Sequence, residues 1–431
     1  MKVIRVNEIS SYLGEEICLE GWVRNVRSNG KLVFIIFRDG SGEVQCVAFK
    51  PGLGESIFKK VESLTLESSV RIKGTPKQHQ KKEGEYEVEV IDVEPVQIAI
   101  DYPIAKKEHG PDFLLENRHL WLRSSKQNAH LMVRHTVYFA ICEYLNNNGY
   151  YRFDSPILTP NACEGTTTLF EVEYFDEGKA YLSQSGQLYL EAGIMSLGRV
   201  YDFGPVFRAE KSKTRKHLTE FWMMDAEAAY VDHEENMRIQ EGLIRHVIRT
   251  VIAKNQKELE VLERDLDQLR KADAPFRRMT HREAISFLQK RGLNIGPKED
   301  FGVFAENCLT EDNSVPLFIE KWPQEIKAFY MKRDPEDANL VLGSDLLAPE
   351  GFGEIIGGSQ REDDYEVLKD RILAEKMNIE AFSWYLDLRK YGSVPHSGFG
   401  IGLERLVQWM CGAQHIREVI PFPRMIYRIY P

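Results

Sequence analysis

Residues 207–221 read FRAEKSKTRKHLTEF, and residues 398–405 read GFGIGLER. Each stretch sets one arginine, Arg208 or Arg405, beside strand-like or glycine-rich backbone. In DFGPVFRAE the strand period of two predicts Arg208 and Glu210 on one face and Phe207 on the other. The return strand puts Phe221, Met223, Asp225 and Glu227 on a shared face. Lys211, Lys213, Arg215, Lys216 and His217 lie between the two. A basic loop joining strands with polar inward residues suits a polyphosphate. Guanidinium binds phosphate bidentately and keeps its charge, so Arg208 can hold an α-phosphate. Phe221 can stack on an adenine. Taken alone, the stretch fits a surface hairpin with a solvated basic turn slightly better.

The second stretch is not a dinucleotide fingerprint. Leu403 stands where G-x-G-x-x-G needs its third glycine, and no P-loop occurs anywhere in the chain. Gly398, Gly400 and Gly402 instead leave one strand face bare. A flat ligand can lie there, with Gly402 against the nucleotide and Arg405 at its γ-phosphate; a tight strand–helix corner is the other reading. Between the two stretches, Asp345 and Glu354 flank LLAPEGFG. Two carboxylates plus nucleotide phosphates suit Mg²⁺, which takes oxygen ligands and keeps several waters.

Working outward, residues 1–100 hold five short runs rich in Val, Ile and Phe: GWVRNVRS, KLVFIIFRD, EVQCVAF, SSVRIKG and YEVEVIDVEPVQI. Turn residues separate them, which predicts a small closed barrel of the OB type. Residues 101–125 carry Pro103, Gly110 and Pro111 without a clean period and read as a hinge. Residues 126–148 then predict a helix, through Leu131, Val137, Ile141 and Leu145, with Gly149 as its stop. Asp232 with Glu235 predicts another helix start. Leu259, Leu262, Leu266 and Leu269 predict one further amphipathic helix. The expected organisation is a barrel over 1–100, a hinge over 101–125 and a second domain over 126–431.

The chain has 431 residues, is 43% hydrophobic and carries a net charge of −10, which excludes a generally basic nucleic-acid binder. The basic run RIKGTPKQHQKK at 71–82 is a local exception, and reads as a solvated loop or a phosphate contact. No apolar run approaches the roughly 18 residues of a membrane span, so no membrane association is expected. The N-terminus lacks an apolar signal region, and Cys18, Cys46, Cys142, Cys163, Cys308 and Cys411 are scattered without a C-x-x-C pair. A reducing cytoplasm is the expectation.

In order along the chain, FRAE, HLTEF, EIIGGSQRE, WYLDLRKYGSVPHSGFGIGLER and the ending IPFPR resemble the class II aminoacyl-tRNA synthetases, within them the aspartyl/asparaginyl branch. The resemblance covers essentially the whole chain. It implies an α+β fold in which an OB barrel reads the tRNA anticodon and an antiparallel sheet flanked by helices bears the active site. It also implies ATP and Mg²⁺ as cofactors, and a homodimer built through the helix before Pro156. Carried over motif by motif, Arg208 contacts the α-phosphate and the amino acid's carboxylate side. Glu210, His217 and Leu218 line ATP, Phe221 stacks on adenine, Glu354 holds metal and ATP with Asp345 beside it, and Arg405 meets the γ-phosphate. Glu164, Ser185 and Gln187 surround the amino acid, with EGTTT at 164–168 as a lid, and Arg361 faces its side chain. In the barrel, Phe34 and Gln45 match positions that meet anticodon bases, supported by Arg24, Arg27 and Arg38; Phe34 fits the barrel core as well.

The branch decision rests on the pocket. Aspartyl enzymes carry lysine in a Gln-Leu-x-Lys pattern, which here is Gln187-Leu188-Tyr189-Leu190. Without that cation a substrate carboxylate lacks a partner, and a neutral amide becomes the better ligand. Gly357 stands where aspartyl enzymes have serine. One position departs: Asp225 stands where asparaginyl enzymes have glutamate, and is expected to receive the substrate amide through a water. The implied reaction is ligation of asparagine to tRNA(Asn). An archaeal-type aspartyl enzyme, an asparagine synthetase-like enzyme on the same core and a non-catalytic tRNA-binding relative are the alternatives. Leu190 and Gly357 speak against the first and the barrel against the second. Arg208, Glu354 and Arg405 speak against the third.

Overall fold

The computed structural model describes residues 1–79, 82, 84–104, 107–160, 169–211 and 214–431. They form two compact units, Met1–Gly110 and Pro111–Pro431.

In the first unit the five predicted runs become strands Ile17–Asn29, Leu32–Asp39, Gly42–Phe49, Ser69–Gln78 and Tyr86–Gln97. Their sheet closes on itself, because Ile17–Asn29 pairs with both Leu32–Asp39 and Ser69–Gln78. Alternation decides what goes inside. Val33, Ile35 and Phe37 are at most 1% exposed, within a core that includes Leu19, Val23, Cys46 and Val90. Phe34, Ile36 and Arg38 point the other way, so Phe34 is not a core residue.

The second unit is built on a nine-stranded mixed sheet. Its central run is antiparallel, through Leu317–Pro323, Leu340–Ala348, Gly353–Gln360, His396–Gly402 and Glu220–Ala229 to Arg199–Tyr201. Parallel pairings extend both ends, Arg277–Thr280 on one side and Tyr151–Arg152 on the other. Gly204–Phe207 pairs with the start of Glu220–Ala229. Helices Ser125–Asn147, His233–Lys254 and Leu403–Cys411 cover one face, and their apolar residues form one core with Met224, Ala226, Ile356, Phe399 and Ile401. The alternate residues of the same strands, Met223, Asp225, Gly357, Gly400 and Gly402, line a cavity on the other face.

Asp232 caps its helix as predicted, its side chain accepting from Glu235 N–H. The single helix expected over 259–269 is instead two, Gln256–Val261 and Leu266–Ala272. Glu263 takes a left-handed conformation at φ 56°, and Asp265 starts the second helix by accepting from Asp267 and Gln268 N–H. Within 101–125 lie helices Pro111–Glu116 and Arg118–Trp121. Arg118 is fully buried there and donates to the carbonyls of Pro421 and Ile420 at 2.8 and 2.6 Å. Among the described residues no helix is long and apolar enough to cross a membrane.

Candidate active site

The cavity encloses about 700 Å³, and its floor follows from strand register. Asp225 lies opposite Gly400, Gly400 opposite Gly357, and Gly357 opposite Asp345. Two glycines therefore separate two carboxylates over three strand spacings, about 14 Å. The glycines are required by close approach. A Cβ on Gly400 would stand 2.6 Å from Asp225 Oδ1, and one on Gly398 would stand 2.0 Å from Glu227 Oε1. All the catalytic, nucleotide, amino-acid and metal residues named from the sequence line this cavity, apart from Leu190 and Glu164.

One end is cationic. The strand Gly204–Phe207 stops one residue short of Arg208, so Arg208 and Glu210 do not continue it as the alternation predicts. The facing strand begins only at Glu220, and the last pairing is Arg208 N–H to the Thr219 carbonyl at 2.9 Å. The Arg208 guanidinium lies 5.7 Å from the centre of the Phe221 ring. Arg405, on the helix that follows the third glycine, donates to the Glu354 carbonyl at 3.1 Å and pairs with its carboxylate at 3.2 Å. Burial, with Arg405 and Arg208 alongside, lowers the His217 imidazole to about 4, so it stays neutral near pH 7. Lys216, missed as a site residue, is anchored to Asn307 Oδ1 and the Gly351 carbonyl, each at 3.1 Å. Of the basic loop, Lys213 lies outside the described residues.

Beside the floor, Glu354 Oε1 and Asp345 Oδ1 come within 3.4 and 3.9 Å of where a Cβ on Gly357 would stand. Burial and the neighbouring Glu354 push the Asp345 carboxyl up to about 7, although Lys327 donates to it at 2.6 Å. Lys327 sits over the Trp322 ring at 3.7 Å and has no signal in the sequence. Each carboxylate already has a cation beside it, Arg405 at Glu354 and Lys327 at Asp345, and the two as adjacent oxygen donors still fit a hard divalent cation completed by substrate oxygens and water. No group of three or more His, Cys, Asp or Glu suited to a metal occurs among the described residues.

The other end is neutral to acidic. Asp225 Oδ2 accepts from Ser185 Oγ at 2.9 Å and from Gly186 N–H at 2.8 Å. Burial and Asp225 push the nearby Asp202 carboxyl up to about 8. Gln187 Nε2 donates to the buried Glu191 at 3.1 Å. Arg361 reaches the cavity, but its Nε and Nη2 grip Glu227 at 3.1 and 2.5 Å while Nη1 donates to Ser359. Leu190 corrects the sequence reading: it does not line the cavity but packs with Ile194 and Val200. On helix Gln187–Leu197 it is Gln187 that lines the cavity and reaches Glu191, whereas Leu190, fully buried, faces the apolar cluster. Glu164 and the EGTTT lid fall outside the described residues.

The barrel unit carries a separate surface. Arg27 lies opposite Phe34, Ile36 opposite Gln45, and Trp22 opposite Arg38. The Arg38 guanidinium covers the Trp22 ring at 4.9 Å and bonds Glu67 at 2.5 Å, so it braces this aromatic. Trp22 is 39% exposed, and sequence reasoning misses it because a tryptophan in a strand run reads as core. Arg24 pairs with Glu43 at 3.6 Å, and Gln45 reaches Glu87 at 3.5 Å.

Comparison with known proteins agrees with this geometry. A family model described as tRNA synthetases class II (D, K and N) matches residues 110–426, and one described as an OB-fold nucleic acid binding domain matches 17–96. An asparagine–tRNA ligase of Pelotomaculum thermopropionicum is 52% identical, the match covering 100% of both chains. The structure of asparaginyl-tRNA synthetase from Pyrococcus horikoshii complexed with asparaginyl-adenylate superposes with a TM-score of 0.95 at 44% identity, over 99% of each chain. The aspartyl tRNA synthetase from Entamoeba histolytica superposes at 0.84 with 26% identity, over 100% of this chain and 93% of its own.

Proposed function

We infer the reaction from the family: the chain belongs to the class II tRNA synthetases of the aspartate, lysine and asparagine group, and it ligates asparagine to tRNA(Asn). The observation that carries this reading is the polarity of one cavity. It is cationic at the end of Arg208 and Arg405. At the other end, among the described lining residues, the one guanidinium is Arg361, held bidentately by Glu227, and Asp225 adds a carboxylate, whereas Arg208, Lys216 and Arg405 gather at the first. ATP fits the first end and an amino acid with a neutral side chain the second.

The α-carboxylate of asparagine attacks the α-phosphorus in line, the bond to the β-phosphate breaks, and pyrophosphate leaves. A terminal ribose hydroxyl of tRNA then attacks the carbonyl of the asparaginyl-adenylate, and AMP leaves. Such transfers need positioning and charge stabilisation more than a protein nucleophile. Arg208 bridges the α-phosphate and the amino acid's carboxylate, and Arg405 meets the γ-phosphate. Phe221 stacks on adenine, while Glu210, His217, Leu218 and Gly402 complete the nucleotide wall. Ser185 and Gln187 orient the amino acid, Asp225 accepts from its amide, and Gly357 leaves room over the floor. Asp345 and Glu354 would hold Mg²⁺, which would supply positive charge to the phosphate oxygens.

On the barrel, Trp22, Phe34 and Gln45 meet anticodon bases, with Arg24 and Arg27 toward the backbone. The helix Ser125–Asn147 joins two copies into a homodimer; the exposure of Phe139 and Tyr151 on and beside it supports that face. A cytoplasmic location is supported by the described cysteines, all of them free thiols.

Amino-acid-dependent ATP–pyrophosphate exchange, run with asparagine and aspartate in parallel, tests the reading. Exchange with asparagine alone is expected. Exchange with aspartate would replace it with the aspartyl assignment, and exchange with neither, even with tRNA present, would favour a non-catalytic role.

A further inference from the structure

Asparagine and aspartate are nearly isosteric, so pocket shape separates them poorly and charge must do so. Among the described residues Arg361 and Arg389 are the guanidiniums at the amino-acid end, and each faces a buried carboxylate. Glu227 takes Arg361 bidentately. Glu191, fully buried one turn along the helix from Gln187, takes Arg389. It also accepts from the Tyr385 hydroxyl at 2.8 Å, and His396 Nε2 lies 3.0 Å away. Gln187 links Glu191 to the cavity along this chain of hydrogen bonds. Each of the two guanidiniums thus has its own buried carboxylate, with the His396 ring against Glu191, while a third carboxylate, Asp225, faces the cavity with Asp202 nearby.

We propose that Glu191 is a specificity-determining positioning residue: its charge cancels Arg389 behind the pocket, so the site takes the uncharged amide of asparagine and turns away the side-chain carboxylate of aspartate. Its hydrogen bond also holds Gln187 with the amide nitrogen toward Glu191 and the carbonyl oxygen toward the cavity, an acceptor that a carboxylate ligand would meet unfavourably. This takes over the role that Leu190, away from the cavity, does not fill, and it rests on the asparagine-ligating reading above.

The test is pyrophosphate exchange with each amino acid in wild type, Glu191→Gln, Arg389→Gln and the double variant, with folding checked by circular dichroism. In Glu191→Gln the aspartate-to-asparagine ratio of kcat/KM should rise about tenfold or more, equivalent to about 1.4 kcal/mol. The change should sit in the amino-acid KM, with the ATP KM unmoved. The double variant restores neutrality and should return the ratio to within about threefold of wild type, whereas Arg389→Gln alone should lower it. A folded Glu191→Gln enzyme with an unchanged ratio overturns the inference, and so does a double variant that keeps the single variant's ratio. Should Glu191→Gln not fold, a ratio in Arg389→Gln no lower than in the double variant overturns it instead. Wild-type enzyme that prefers aspartate in the same assay would sink the asparagine reading itself, an outcome distinct from these.

Discussion

One methyl group at position 400 is enough to disturb the floor of the site. A Cβ there would meet Asp225 Oδ1 at 2.6 Å from the adjacent strand, and both strands are fixed by pairing on their far sides. Gly400→Ala should therefore cost about 1–3 kcal/mol of stability by overpacking. It should also raise the asparagine KM about tenfold or more, read by pyrophosphate exchange and thermal melting; a variant with wild-type KM would mean the floor yields. Asp225 itself is held by Ser185 and Gly186, so an isosteric Asp225→Asn keeps the shape and removes the charge. Its asparagine kcat/KM should fall at least tenfold, and unchanged preference between the two amino acids would remove Asp225 from side-chain selection. At this scale the sequence was legible in which residues share one cavity, as with Arg208, Phe221 and Arg405. It failed at Leu190 because a position matched by motif says nothing about which neighbours the side chain packs on, and it missed Lys327 because no spacing distinguishes a lysine over Trp322 from one in solvent.

Among the elements, the helix Ser125–Asn147 carries an acid sensitivity unrelated to catalysis. His130 is buried in it, and burial together with Arg118 and Lys126 lowers its imidazole to about 4. Above pH 6.5 it is neutral both folded and unfolded. As pH falls from 6.5 toward 4, the unfolded chain binds a proton that the folded one refuses, so stability is lost over that window. His130→Gln should lose less than wild type between pH 7 and pH 5, by up to about 2 kcal/mol, since a tenfold difference in proton affinity is worth about 1.4 kcal/mol. Parallel melting curves for the two proteins across that range would refute the assignment. Strands and long helices were readable because alternation and a 3.6-residue period survive in 220–229, 398–402 and 125–147. The break at Glu263 was not, because a charged residue in a left-handed turn leaves the leucine spacing on either side intact.

At the scale of the whole molecule the two compact units divide the chemistry, and that division makes the barrel testable without touching the cavity. All the residues lining the cavity belong to Pro111–Pro431, whereas Trp22, Arg27, Phe34 and Gln45 belong to Met1–Gly110. A net charge of −10 hides the barrel surface, because its cations are few and interleaved with aromatics rather than clustered. Stacking of a base on an aromatic side chain is worth about 1–3 kcal/mol. Phe34→Ala should then raise the tRNA KM in aminoacylation about tenfold, and Trp22→Ala by a similar factor plus whatever follows from releasing Arg38. Pyrophosphate exchange needs no anticodon and should remain at the wild-type rate in both. Phe34 and Trp22 lie off the barrel core, so melting temperatures should move little, which separates lost recognition from lost structure. A loss of exchange in step with aminoacylation would instead mean that the barrel surface supports the cavity, and that the two units do not act independently before tRNA arrives.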